Sequence, residues 1–108
     1  MRPSSVRVLD PPRLVWIRLR ELLRIGPHDL TPGDERHGLR IETEVPGIVR
    51  EEIPRADAGL LVLVTYPLWT GDGEHQIVVT HWLPAHLVRP RGRTRRDRLG
   101  EDRRRKYG

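Results

Sequence analysis

Residues 39–45 alternate strictly, with Leu39, Ile41, Thr43 and Val45 set against Arg40, Glu42 and Glu44. A period of two predicts a half-buried strand with a solvated face. Pro46-Gly47 is expected to interrupt that strand, and residues 48–53 resume in extended form. Residues 60–66 form a nearly continuous apolar run with two valines, which predicts a central strand covered on both faces. Pro67 and the cluster Thr70-Gly71-Asp72-Gly73 make a turn, with Trp69 on its shoulder. Residues 76–83 are rich in β-branched side chains and read as a further strand. Pro84-Ala85-His86 suits a single 3₁₀ turn, and Leu87-Val88 closes the body.

The N-terminal quarter carries a different pattern. Residues 1–9 read as a short extended piece anchored by Val6, Val8 and Leu9. Asp10 is a favoured N-cap, and a proline following it loses an N–H that the first helical turn leaves unpaired anyway. Val15, Trp16, Leu19, Leu22 and Leu23 then recur at helical spacing, opposite Arg13, Arg20, Glu21 and Arg24, with Ile17 off the face. Gly26-Pro27 is a strong stop. The pattern predicts an amphipathic helix over residues 12–25, packed through Trp16, Leu19 and Leu23. A strand with Val15, Ile17 and Leu19 on one side fits the first half only.

Short strands joined by turns point to a mainly β fold, a small antiparallel barrel or a strongly bent sheet. Leu30-Thr31-Pro32-Gly33-Asp34 precedes the first strand, Gly47-Ile48-Val49 turns into the second, and Leu83-Pro84-Ala85-His86-Leu87-Val88 ends the body. In those motifs, over residues 30–90, the chain resembles an SH3-like barrel, including the nucleic-acid-associated KOW-type members. The resemblance implies a fold and a habit of binding, with no catalytic residues to carry over. The aromatic-rich opening by which signalling SH3 domains take proline peptides is missing, so that activity is not implied. The expected division is an N-terminal extension and helix over 1–27, an SH3-like barrel over 28–90, and a disordered basic tail over 91–108.

Charge sharpens that division. Residues 89–108 hold ten basic and three acidic side chains, a formal +7, whereas residues 1–88 hold ten basic and twelve acidic, a formal −2. A segment so dense in charge and nearly free of apolar groups cannot offset its own ordering entropy and serves as a solvated interaction arm. Arg91, Arg93, Arg95, Arg96, Arg98, Arg103, Arg104, Arg105 and Lys106 are its candidate contacts. They suit phosphates of DNA or RNA in a salt-sensitive, sequence-poor mode, or an acidic protein surface or anionic lipid, or simply solubility. Nineteen arginines against one lysine, with no Phe, Asn or Cys, is what a GC-rich bacterial or phage coding sequence imposes, but codon pressure does not account for the clustering.

Little in the remaining composition supports chemistry. One domain of 108 residues has a small core. No cysteine is present for a disulfide or thiolate zinc site, and the longest uninterrupted apolar run, residues 60–64, is far shorter than the ~20 residues of a membrane span. With no signal-peptide pattern either, a soluble cytoplasmic protein is expected. His75, His81 and His86 could approach one another, but strand and turn polarity accounts for them without a metal. Glu42/Glu44, Glu51/Glu52 and Asp72/Glu74 are carboxylate pairs, and a wet strand face explains Glu42 and Glu44 better than acid–base work. Trp16, Tyr66 and Trp82 are assigned to core packing, while Trp69, at a turn, is either a lid or a stacking surface. The expected function is non-catalytic binding, with no cofactor and no metal. Nucleic acid is the leading partner, through the tail and Trp69. The alternative is a structural adaptor docking on a protein in a phage or mobile-element assembly.

Overall fold

The computed structural model describes residues 2–92. Five strands, β1 (Arg7–Ile17), β2 (Val45–Pro54), β3 (Leu60–Trp69), β4 (Gln76–Pro84) and β5 (Val88–Pro90), form one antiparallel sheet in the order β4-β3-β2-β1-β5. The sheet curls into a half-barrel. Its concave side holds the core, built from Val15, Ile17 and Leu19, then Val45 and Val49, then Val62, Val64, Tyr66 and Leu68, with Leu83 and Leu87 closing over them. Alternation along β3 is complete: every even-numbered residue from Val62 to Leu68 is buried, and every odd-numbered one is partly or fully exposed.

The N-terminal helix over 12–25 is not formed. Residues 12–17 belong to β1, and the only α-helical turn among the described residues, α1 (Leu19–Leu22), is four residues long. The reason lies in partners far along the chain. β1 is flanked by β2, with Ile17 opposite Val45, and by β5, with Ile17 opposite Val88, so residues 15–17 gain two hydrogen-bonded neighbours. The period that wins is two: Val15 and Ile17 are buried, and Trp16 between them is only half-buried. Leu23, expected on the packed helix face, is 41% exposed. The supposed cap also has another use. Between Val8 and Arg13 the β1–β2 register slips, and Asp10-Pro11-Pro12 occupies that bulge, where the missing proline N–H groups cost no ladder bond. Leu9 turns into the core from the same bulge.

Two further departures concern β2 and β3. The alternating residues 39–43 are not a strand; Leu39 makes an isolated bridge to Thr70, and Arg40 N–H donates to the Trp69 carbonyl at 2.7 Å. β2 instead begins at Val45 and runs straight through Pro46-Gly47. Pro46 is tolerated because pairing with β3 begins only at Ile48. Gly47 is required by close approach: a Cβ there would lie 2.5 Å from Ile17 Cδ1 and 3.1 Å from the Thr65 carbonyl oxygen. Among the described residues β3 is covered on one face only, so its odd-numbered apolar residues face outward without a second layer there.

Pro67, expected in the turn, instead lies within β3 opposite Val78, and Trp69 is the last residue of that strand; the other elements follow the pattern of the sequence. The turn after β3 is fastened by Thr70 N–H to the His75 carbonyl and by Gly71 N–H to Gly38, each 2.9 Å. The 3₁₀ turn Ala85–Leu87 feeds β5 back onto β1, and Arg18 N–H donates to the Leu87 carbonyl at 2.8 Å. The expectation of a disordered tail concerns residues 91–108, of which 93–108 lie outside the described residues; Arg91 itself is held to β1 through its N–H on the Leu14 carbonyl, 3.1 Å. No helix among the described residues is long and apolar enough to cross a membrane.

One polar contact spans the concave side, where the Tyr66 hydroxyl and His81 Nε2 are 2.9 Å apart. Burial pushes the Tyr66 phenol up and the His81 imidazolium down, so a neutral ring accepting from Tyr66 is the favoured form. Because the folded value lies below the unfolded one of about 6.5, His81 leaves the fold's stability intact above that pH. As pH falls below it, the unfolded chain takes up a proton that the folded chain declines, and stability drops toward the folded value. The urea midpoint should therefore fall between pH 7.5 and 5, and His81→Gln should flatten that slope. An unchanged slope in the variant would remove His81 as its source.

Candidate functional site

The convex face of the sheet is where an unusual composition collects. Ladder pairing runs Trp16 to Pro46, Leu14 to Ile48 to Thr65 to Thr80, and Glu51 to Leu63 to Trp82, so these residues share a face. The same parity places Pro67 and Trp69 there on β3, opposite Val78 and Gln76. All three tryptophans of the chain thus lie on the side away from the core. Trp69 is 44% exposed, Trp82 is 38% exposed and Val78 is 66% exposed. A shallow depression between Pro46, Ile48, Thr65, Pro67, Val78 and Arg91 runs along the middle of this face. Apolar residues with no covering layer mark an interaction surface more often than chance.

Cations border the face on the β1–β5 side. The Arg89 guanidinium lies 5.7 Å and that of Arg91 6.0 Å from the centre of the Trp16 ring, a distance at which the ring quadrupole attracts a cation. Arg89 also grips Glu44 with two hydrogen bonds, 2.6 and 2.8 Å, and that pairing holds the Glu44 carboxyl below the usual range. Arg91 has no such partner: its Nε is buried and makes no hydrogen bond among the described residues. The two adjacent carboxylates of β2, Glu51 with the parity of this face and Glu52 with that of the core side, are both neutralised. Glu51, buried in β2, is bound by Arg2, and Glu52 lies 3.0 Å from Arg7 and 3.9 Å from Arg13. Those two acids are tied down rather than poised for chemistry.

Of the residues singled out by sequence, Trp69 and Arg91 fall on this face. Arg93, Arg95, Arg96, Arg98, Arg103, Arg104, Arg105 and Lys106 lie outside the described residues, and the chain leads to them from Gly92, immediately beyond Arg91. His81 is engaged with Tyr66, and among the described residues no three His, Asp or Glu side chains gather as a metal site would need. Glu42 and Glu44 do not act as a pair, since Glu42 is 3.6 Å from Arg40 and Glu44 is bound to Arg89. Assigning Trp16 and Trp82 to the core is corrected: both occupy the outward parity of strands whose inward neighbours, Val15, Ile17 and Leu83, are buried. For Trp82 the signal was available in the order His81-Trp82-Leu83, where Leu83 claims the inner face. No family model, curated protein or solved structure matches the chain.

Proposed function

We propose that this chain is a non-catalytic binding module that holds nucleic acid, without sequence preference, between its convex sheet face and its Arg-rich C-terminal segment. The observation that carries the reading is Arg91, which rests beside Trp16, at the point where the chain enters that segment, with an Nε that makes no hydrogen bond among the described residues. Exposed aromatic rings on a sheet are surfaces on which unpaired bases stack, and neighbouring guanidinium groups take the phosphates. Trp16, Trp69 and Trp82 supply the rings, while residues 93–108 add eight basic groups against three acids. We also read the fold as SH3-like. The β2–β3–β4 meander and the 3₁₀ turn leading into a short last strand support that reading.

Titration with mixed-sequence single strand and duplex, followed by tryptophan fluorescence, tests it. Single strand should quench the fluorescence and bind more tightly than duplex. Trp16→Ala, Trp69→Ala and Trp82→Ala should each weaken single-strand binding by about 1–3 kcal/mol, the worth of one stacked base. Absence of binding at low salt would overturn the proposal. The adaptor reading would then lead, favoured by Leu23, Ile25 and Leu30, which are 41%, 79% and 88% exposed along the segment after α1. Its partner would be a protein surface accepting that apolar stretch.

A further inference from the structure

We propose that β4 pairs antiparallel with β4 of a second copy, about a two-fold axis passing beside Thr80, so that two five-stranded sheets become one. β4 is one of the two edges of the sheet, and its outer side has no neighbour among the described residues. Natural proteins protect such edges with charges, prolines, bulges or brevity, because unpaired N–H and C=O groups invite another strand. The opposite edge is protected in this way: β5 has three residues, including Arg89 and Pro90. β4 has nine, carries no Asp, Glu, Lys or Arg, and pairs with β3 in unbroken register from Gln76 to Pro84. Its only proline is the terminal one.

A second copy is the occupant whose chemistry fits. Two-fold pairing sets each residue against its own strand reversed, so a charge near the axis would meet its like; residues 76–84 present none. With Thr80 opposite itself, Val78 faces the partner's Trp82, an aromatic–β-branched cross-strand pair on the convex side. Ile77, which is 47% exposed on the concave side, faces the partner's Leu83. Neighbouring registers lose these matches; centring on Val79, for instance, sets Trp82 against the partner's Gln76. The two copies of Val78, Ile77, Trp82 and their neighbours bury on the order of 1,000 Å² in total, the lower limit of a specific interface. That corresponds to a reversible dimer, and it stands whether or not the convex face takes nucleic acid.

Because the chain has no native cysteine, single cysteines report the register directly. In Thr80→Cys the two thiols face each other across the axis, with Cβ atoms about 4.5–5.5 Å apart, close to disulfide reach. In Val78→Cys they stand four residue positions apart along the ladder, about 13 Å, which no disulfide spans. Under a mild oxidant, Thr80→Cys should form covalent dimer at least about tenfold faster than Val78→Cys. In sedimentation the wild-type full chain should be dimeric at about 100 μM, above the micromolar dissociation constant expected of so small an interface. Thr80→Lys should be monomeric at that concentration with an unchanged circular dichroism spectrum. A monomeric wild type, or equal cross-linking of the two cysteine variants, overturns the proposal and leaves the edge to a strand from a different protein. Should Thr80→Lys fail to fold, the cysteine comparison decides alone.

Discussion

Ile17→Ala is expected to destabilise the protein by about 2–5 kcal/mol, as other truncations of fully buried aliphatic side chains do. Small domains hold only about 5–15 kcal/mol in all, so much of the protein should be unfolded at moderate urea. Ile17 has no exposed surface, lies between Val45 and Val88 on the neighbouring strands, and fills the space that Gly47 leaves open. Leu23→Ala should cost less than about 0.5 kcal/mol, because that side chain is 41% exposed beyond the end of α1. The contrast discriminates between conformations. In a helix over 12–25, Ile17 would face outward and Leu23 would pack, so the two costs would be reversed. Urea unfolding of both variants measures them, and a larger loss for Leu23→Ala would contradict the strand.

Deleting residues 93–108 is expected to remove most of the affinity for nucleic acid and nearly all of its dependence on salt. The deletion takes away eight basic and three acidic groups and leaves residues 1–92 with twelve of each, a formal charge of zero. Each phosphate neutralised on duplex DNA contributes about −0.9 to the slope of log K against log salt, and six to ten such contacts lose about 10³–10⁵ in affinity between 50 and 200 mM. The full chain should show a steep slope of that kind. The truncated chain should keep a weak, nearly salt-indifferent affinity for single strand, supplied by the tryptophans and Arg91. Equal binding by both forms would mean that the C-terminal segment is not a phosphate-binding arm.

Elements whose pattern has one solution were legible in the sequence, and those whose pattern has two were not. β4 and the 3₁₀ turn are bounded by Gly73 and Pro84, and the structure holds them close to where the pattern puts them, while β3 starts after Gly59 as expected but runs on through Pro67 to Trp69. Residues 15–19 satisfy both periods at once, since Val15, Trp16, Leu19 suits a helix and Val15, Ile17, Leu19 suits a strand. What decides between them is pairing with Val45 and Val88, roughly thirty and seventy residues away, which no local window contains. Asp10-Pro11-Pro12 compounded the ambiguity, because residues that suit a helix start suit a bulge equally well. The outward-facing tryptophans of the convex side were missed for the same reason. Trp16 can be seen to point outward only once its strand is known, and the apolar run of β3 is read as doubly covered only if a second layer exists to cover it. Among residues 2–92 there is none.

The position of β1 between β2 and β5 also orders events during synthesis. Residues 15–17 wait for their second neighbour until residues 88–90 have been made and have left the ribosome, so β1 gains that neighbour about seventy residues after its own synthesis. Until then the inner side of Ile17 and Leu19 lacks the cover that Leu87 and Val88 later provide. Contacts so distant in sequence make closure slow relative to local folding. Chains interrupted before residue 88 would present an open apolar seam to the quality-control machinery of the cell.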